Sequence, residues 1–201
     1  MKIIWNLLFS LFLLVSVIAP AHGQQPQDIF GHPESTAAAG LKVPLYRDRV
    51  MDLANVLKTS EIEILKGKTV YLEMATTTPL AILIIPDLHG EVLEKYSLRV
   101  ANTWKLGRCD INNGVLILVV MKDRKLRIEI GLGLESILTN ETCKRIIEES
   151  IIPFFKTGDF NGGLDSGLTS ITKILTSSQE YRDILANAHN CPGGVGSVRH
   201  E

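Results

Sequence analysis

Two short apolar runs constrain this chain more than any other feature. Residues 80–86 read Leu-Ala-Ile-Leu-Ile-Ile-Pro, and residues 115–121 read Val-Leu-Ile-Leu-Val-Val-Met. Each has strand length and no polar face, so each needs cover on both sides. Residues 90–106 lie between them, with Val92, Tyr96, Val100 and Trp104 recurring every fourth position as one helical stripe. Strand, helix, strand predicts a right-handed parallel crossover. After the second run, Lys122-Asp123-Arg124-Lys125 is a polar turn. Leu126, Ile128 and Ile130 then alternate with Arg127 and Glu129, the period of a half-exposed strand returning as a hairpin.

Helices are expected on either side of this unit. Ser60 and Glu63 form a capping box that opens a helix over 60–74, with Ile62, Leu65, Thr69 and Leu72 on one face. A third helix starts near Asn140 and carries Cys143, Ile146, Ile147, Ile151 and Phe154, interrupted or kinked by Pro153. A fourth, over 161–175, carries Leu164, Leu168, Ile171 and Leu175. The predicted fold is α/β: a three-layer α/β/α sandwich around a mixed sheet, with one parallel βαβ crossover and one antiparallel hairpin.

The ends read differently. Lys2, an apolar run over 3–19, and Pro20-Ala21-His22-Gly23 have the order of a secretory signal peptide over 1–23. No cysteine stands at the cleavage site, which argues against a bacterial lipid anchor. Residues 24–42 read as a linker, 43–178 as the domain, and 179–201 as a flexible tail. The expected location is secreted or periplasmic, with no stable membrane span after cleavage. A net charge of -1 argues against a nucleic-acid partner.

Gly131-Leu132-Gly133 follows a strand and raises the question of a phosphate loop. The third glycine of a dinucleotide fingerprint is missing, and no Walker A motif exists. A turn that needs glycine is the reading favoured here.

Five stretches carry a family resemblance: Val-Met-Asp-Leu-Ala at 50–54, Trp-Lys-Leu-Gly at 104–107, Asn-Gly-Val-Leu-Ile-Leu-Val at 113–119, Arg-Ile-Glu-Ile-Gly-Leu-Gly-Leu-Glu at 127–135, and Pro-Phe-Phe-Lys-Thr-Gly-Asp-Phe at 153–160. Together, over 43–175, they resemble the TPM domain. The resemblance implies an α/β/α domain acting outside the cytoplasm. It also implies calcium binding, upkeep of envelope or membrane-protein partners, and, in plant members, phosphatase activity. The C-terminal membrane segment of many bacterial members is not expected here.

Phosphatase chemistry needs a nucleophile or a metal pair. The residues six positions after Cys109, Cys143 and Cys191 are Val115, Glu149 and Ser197, so no Cys-x5-Arg loop exists. His89 is the one histidine within the domain and a candidate general base, though a lone loop histidine is more often merely solvated. Carboxylates offer more. Asp52 precedes the first helix, Asp87 follows the first apolar strand, and Asp159 precedes the fourth helix. Topology should bring all three to the carboxyl edge of the sheet, where open α/β sheets take ligands. An all-oxygen set of this kind suits Ca²⁺. Against that, each could be a solvated or helix-capping acid, Asp159 especially. Asp110 and Glu135 form a second candidate pair at the opposite edge. The expected function is an exported, cation-binding module that assists envelope or membrane-protein partners. The alternative is a metal-assisted acid phosphatase using the same carboxylates. Of the three cysteines, Cys109 and Cys143 are expected to pair, closing a loop of about 35 residues worth roughly 3–4 kcal/mol.

Overall fold

The computed structural model describes residues 40–188. The expected leader over 1–23, most of the linker and the end of the tail, including Cys191, lie outside the described residues. Strands β1 (Val50–Asp52), β2 (Leu80–Ile85), β3 (Val115–Val120) and β4 (Lys125–Ile130) form one sheet in the order β1-β2-β3-β4. The first three are parallel, and β4 returns antiparallel along β3. Every residue of β2 and β3 is buried, as the two apolar runs require.

Alternation divides the core into two. Ile82, Ile84, Ile117 and Val119 face α1 (Thr59–Thr76), α3 (Asn140–Arg145), α5 (Phe160–Ser177) and α6 (Gln179–Asn187). Ala81, Leu83, Leu116 and Leu118 face Tyr96, Val100 and Trp104 of α2 (Leu93–Trp104). Leu41, Val43 and Tyr46 pack beside that helix, where the Trp104 indole N–H donates to the Pro44 carbonyl at 2.8 Å. This is the expected mixed three-layer sandwich. The steps β1 to β2 and β2 to β3 run the same way across the sheet, yet α1 and α2 cover opposite faces. The two crossovers therefore have opposite hands, and one departs from the right-handed rule.

The helices differ from expectation in instructive ways. The box at the start of α1 lies upstream of Ser60: Glu61 Oε2 accepts the Lys58 backbone N–H at 2.8 Å. Val92 is the N-cap of α2 and is 48% exposed, so it leaves the apolar stripe. The third helix is a composite. Between α3 and α4 (Ile152–Lys156) lies a π-helical turn, Ile146–Ile151. Pro153 explains it, because the ring crowds the carbonyl four residues back and a wider turn relieves the clash.

Three departures are larger. No strand is expected over 50–52, yet β1 forms there. The segment from 179, expected as tail, is helix α6. Ser178 caps it by accepting the Tyr181 N–H, and Tyr181 is 1% exposed. The expected Cys109–Cys143 bridge is absent. Cys143 is a free thiol facing the helical core from α3, its Sγ 3.5 Å from the Leu138 carbonyl, while Cys109 is disulfide-bonded elsewhere. Burial pushes the Cys143 thiol up to about 11. Among the described residues no helix is long and apolar enough to cross a membrane.

Candidate functional site

The loops that leave the parallel strands build the carboxyl edge of the sheet. Asp52 ends β1 and is half-buried. Its Oδ1 accepts the Ala54 N–H at 3.1 Å, and its Oδ2 accepts those of Val56 and Leu57 at 2.8 Å each. That one carboxylate folds the 53–57 loop into a cradle, with Asn55 in the left-handed region. Three backbone donors are satisfied before α1 begins.

Asp87 follows β2. Its Oδ1 accepts the His89 N–H at 2.7 Å, and its Oδ2 accepts from Lys122 Nζ at 2.6 Å. The ammonium and the backbone donor hold the Asp87 carboxyl below its ordinary range. Lys122 follows β3, and β2 pairs with β3 so that Ile85 meets Val120. Two residues further along each strand, Asp87 meets Lys122. Register alone makes this ion pair. His89 is exposed and in the left-handed region, its Nδ1 3.8 Å from Asp87 Oδ2, beyond hydrogen-bond reach.

Asp159 is the N-cap of α5, its Oδ1 accepting the Gly162 N–H at 2.8 Å. Helix α5 runs alongside α1 in the same direction: Lys68 pairs with Asp165, and Tyr181, just past α5, meets Thr76 at the end of α1. Asp159 therefore lies at the end of the molecule where α1 starts, the end that also holds Asp52 and Asp87. The three sequence-predicted acids share an edge. They are not gathered into one cluster, since no group of three or more His, Cys, Asp or Glu side chains is placed to hold a metal ion among the described residues. The donors suit a hard cation in type. Binding would require Asp87 to exchange Lys122 for the ion, with Asp159 and loop carbonyls closing in.

At the opposite edge the second candidate pair is divided. Asp110 is held in a fork by Arg108, with Nε to Oδ1 at 3.0 Å and Nη2 to Oδ2 at 2.6 Å, and that guanidinium keeps its carboxyl low. Glu135 is exposed. A methyl on Gly131 would run into the Asn112 carbonyl, and one on Gly133 into that of Ile111. The Gly133 N–H donates to Asn112 at 3.1 Å, and the Gly131 N–H donates to Gly114 at 2.8 Å. These glycines let two stretches of backbone touch. Below them, Asn113 is fully buried. Its amide donates to the Thr77 carbonyl at 2.9 Å and to the Tyr181 hydroxyl at 2.8 Å, while its Oδ1 accepts the Arg108 N–H.

Two partners escaped the sequence reading, Lys122 of Asp87 and Arg108 of Asp110. A signal existed for the first: opposite charges stand equally far past two adjacent parallel strands.

The model of the TPM domain family matches residues 50–174. No curated protein matches the chain. Among solved structures, the N-terminal domain of a protein from P. gingivalis is 28% identical, with a TM-score of 0.59, over 71% of this chain and 87% of that one. The BA42 protein of the psychrophilic bacterium Bizionia argentinensis is 20% identical, with a TM-score of 0.53, over 62% of this chain and 84% of its own. The N-terminal domain of the cg2496 protein from Corynebacterium glutamicum is 14% identical, again at 0.53, over 71% and 92%. The last two likenesses concern the fold alone.

Proposed function

Because the chain belongs to the TPM domain family, we propose that it works as an exported module that takes a divalent cation, Ca²⁺ by ligand type, at the carboxyl edge of its sheet and assists envelope or membrane-protein partners. The observation that supports this reading most is the shared placement of Asp52, Asp87 and Asp159 at one edge, on loops rich in backbone carbonyls. Lys122 is the competitor of such a cation. A tethered ammonium on Asp87 at 2.6 Å is a built-in counter-ion at the position a metal would take. Loop ligands of this kind tolerate the variable coordination of Ca²⁺ better than the octahedron of Mg²⁺. When bound, the cation would screen the three carboxylates from one another and join three loops.

Calorimetric melting tests the proposal, first with chelator and then with excess Ca²⁺, on the wild type and on Asp52→Asn. Linkage requires an upward calcium-dependent shift in the wild type, reduced in the variant. No shift in the wild type, or an equal shift in both, defeats it. Hydrolysis of a generic phosphomonoester, lost in Asp52→Asn, would instead favour the phosphatase reading.

A further inference from the structure

The outer edge of β4 carries an inference independent of the cation. The Gly131 N–H donates to Gly114, and that of Val115 donates to Pro79 on the other side of β3. In an antiparallel ladder the bonded pairs alternate. The register then makes Leu116–Glu129, Leu118–Arg127 and Val120–Lys125 the bonded pairs of β3 and β4. Leu126, Ile128 and Ile130 are left with their N–H and C=O groups directed away from the sheet. Among the described residues no strand lies beyond β4.

A groove of about 470 Å³ runs along this edge, lined on one side by Arg127, Ile128, Glu129 and Ile130. Successive strand residues point to opposite faces, so only the edge itself presents all four to one space. The far wall is the start of α3, with Thr139, Asn140 and Glu141. The space is polar. Arg127 and Glu129 are paired with each other, and Glu129 also accepts from Ser97. Glu135 and Glu141, also on the lining, are exposed and enter no ion pair among the described residues. The rim is therefore acidic. A second copy would bring the same acidic rim against this one, whereas a basic segment would complement it.

We propose that the β4 edge is a docking site for one extended segment of a partner protein, added as a fifth strand, with Lys or Arg side chains meeting Glu135 and Glu141. Strand addition draws affinity from backbone bonds and specificity from alternate side chains. The exposed Lys125 and the paired charges of Arg127 and Glu129 guard the same edge against indiscriminate pairing.

The probe is the peptide acetyl-Lys-Val-Thr-Val-Lys-Val-Thr-Val-amide, added to millimolar concentration and read by amide hydrogen exchange in the exported chain. The expected result is slowed exchange at Leu126, Ile128 and Ile130, rapid in the chain alone. Replacing the probe lysines by glutamate, or making Glu135→Lys with Glu141→Lys, should weaken binding roughly two- to fivefold, the range of exposed ion pairs. N-methylation of alternate probe residues should abolish it. Unchanged exchange at the three amides, protection confined to other residues, or indifference to probe charge overturns the proposal. So does protection already present in the chain alone, which would mean that a second copy or another part of this chain fills the edge.

Discussion

Tyr181→Phe separates a docked α6 from a loose tail. The ring stays, so no large cavity opens, and only the hydroxyl is lost. That hydroxyl donates to the Thr76 carbonyl at 3.0 Å, accepts from Asn113 Nδ2 at 2.8 Å, and lies 2.6 Å from Thr78 Oγ1, whose proton completes the set. Tyr181, Asn113 and Thr78 are at most 1% exposed. Without the hydroxyl, one Asn113 proton loses its acceptor in a fully buried position, while its other proton keeps Thr77. One lost bond plus one orphaned buried donor costs about 2–4 kcal/mol. For a chain of this size that is a fall in Tm of roughly 5–15 °C. Urea unfolding should show a lower midpoint at unchanged slope, since the exposed surface is the same. Thr78→Val removes a neighbour of the same hydroxyl, so the double variant should lose less than the sum, with a coupling of about 0.5–3 kcal/mol. A loss below about 0.5 kcal/mol for Tyr181→Phe is less than a single net hydrogen bond and would mean that α6 does not dock as described.

Packing and burial give two further expected outcomes. Gly133→Ala pushes a methyl into the Ile111 carbonyl and should cost about 1–3 kcal/mol by overpacking, whereas Gly67→Ala on α1, with open space around it, should stabilise by roughly 0.5–1 kcal/mol. Equal effects in urea unfolding would remove the close-approach account of the glycine pair. Peptide mapping without reduction should find Cys109 cross-linked and Cys143 alkylated only after denaturation, because burial holds Cys143 as a thiol up to about pH 11. Recovery of Cys143 in the cross-link, or its rapid native alkylation at pH 8, contradicts this.

The parts of the fold legible in the sequence are those with a strong period. Unbroken apolar runs gave β2 and β3 away, alternation marked β4, and the fourth-residue stripe of Tyr96, Val100 and Trp104 marked α2. Strand β1 has three residues, too few for any period to register. Helix α6 is mostly polar and buries one large side chain, although Ser178 followed by Glu180 was a usable cap signal. The carboxyl-edge position of the three aspartates followed from topology, since chain direction fixes which end each loop reaches. Their separate engagements did not, because Asp52 spends its oxygens on backbone donors of its own loop. The cysteine pairing failed for a related reason. Nearness along a topology diagram does not say which way a helical side chain faces, and Cys143 faces the core.

The most direct test of a cation at the carboxyl edge is a Ca²⁺ titration read from the backbone amide resonances of the chain. The account predicts saturable shifts that move together at residues 52–57, 87–89, 122–123 and 159–162, with tighter binding in Lys122→Ala, where Asp87 no longer holds its ammonium. Shifts that grow without saturation, or that centre on Asp110 and Glu135, would contradict it.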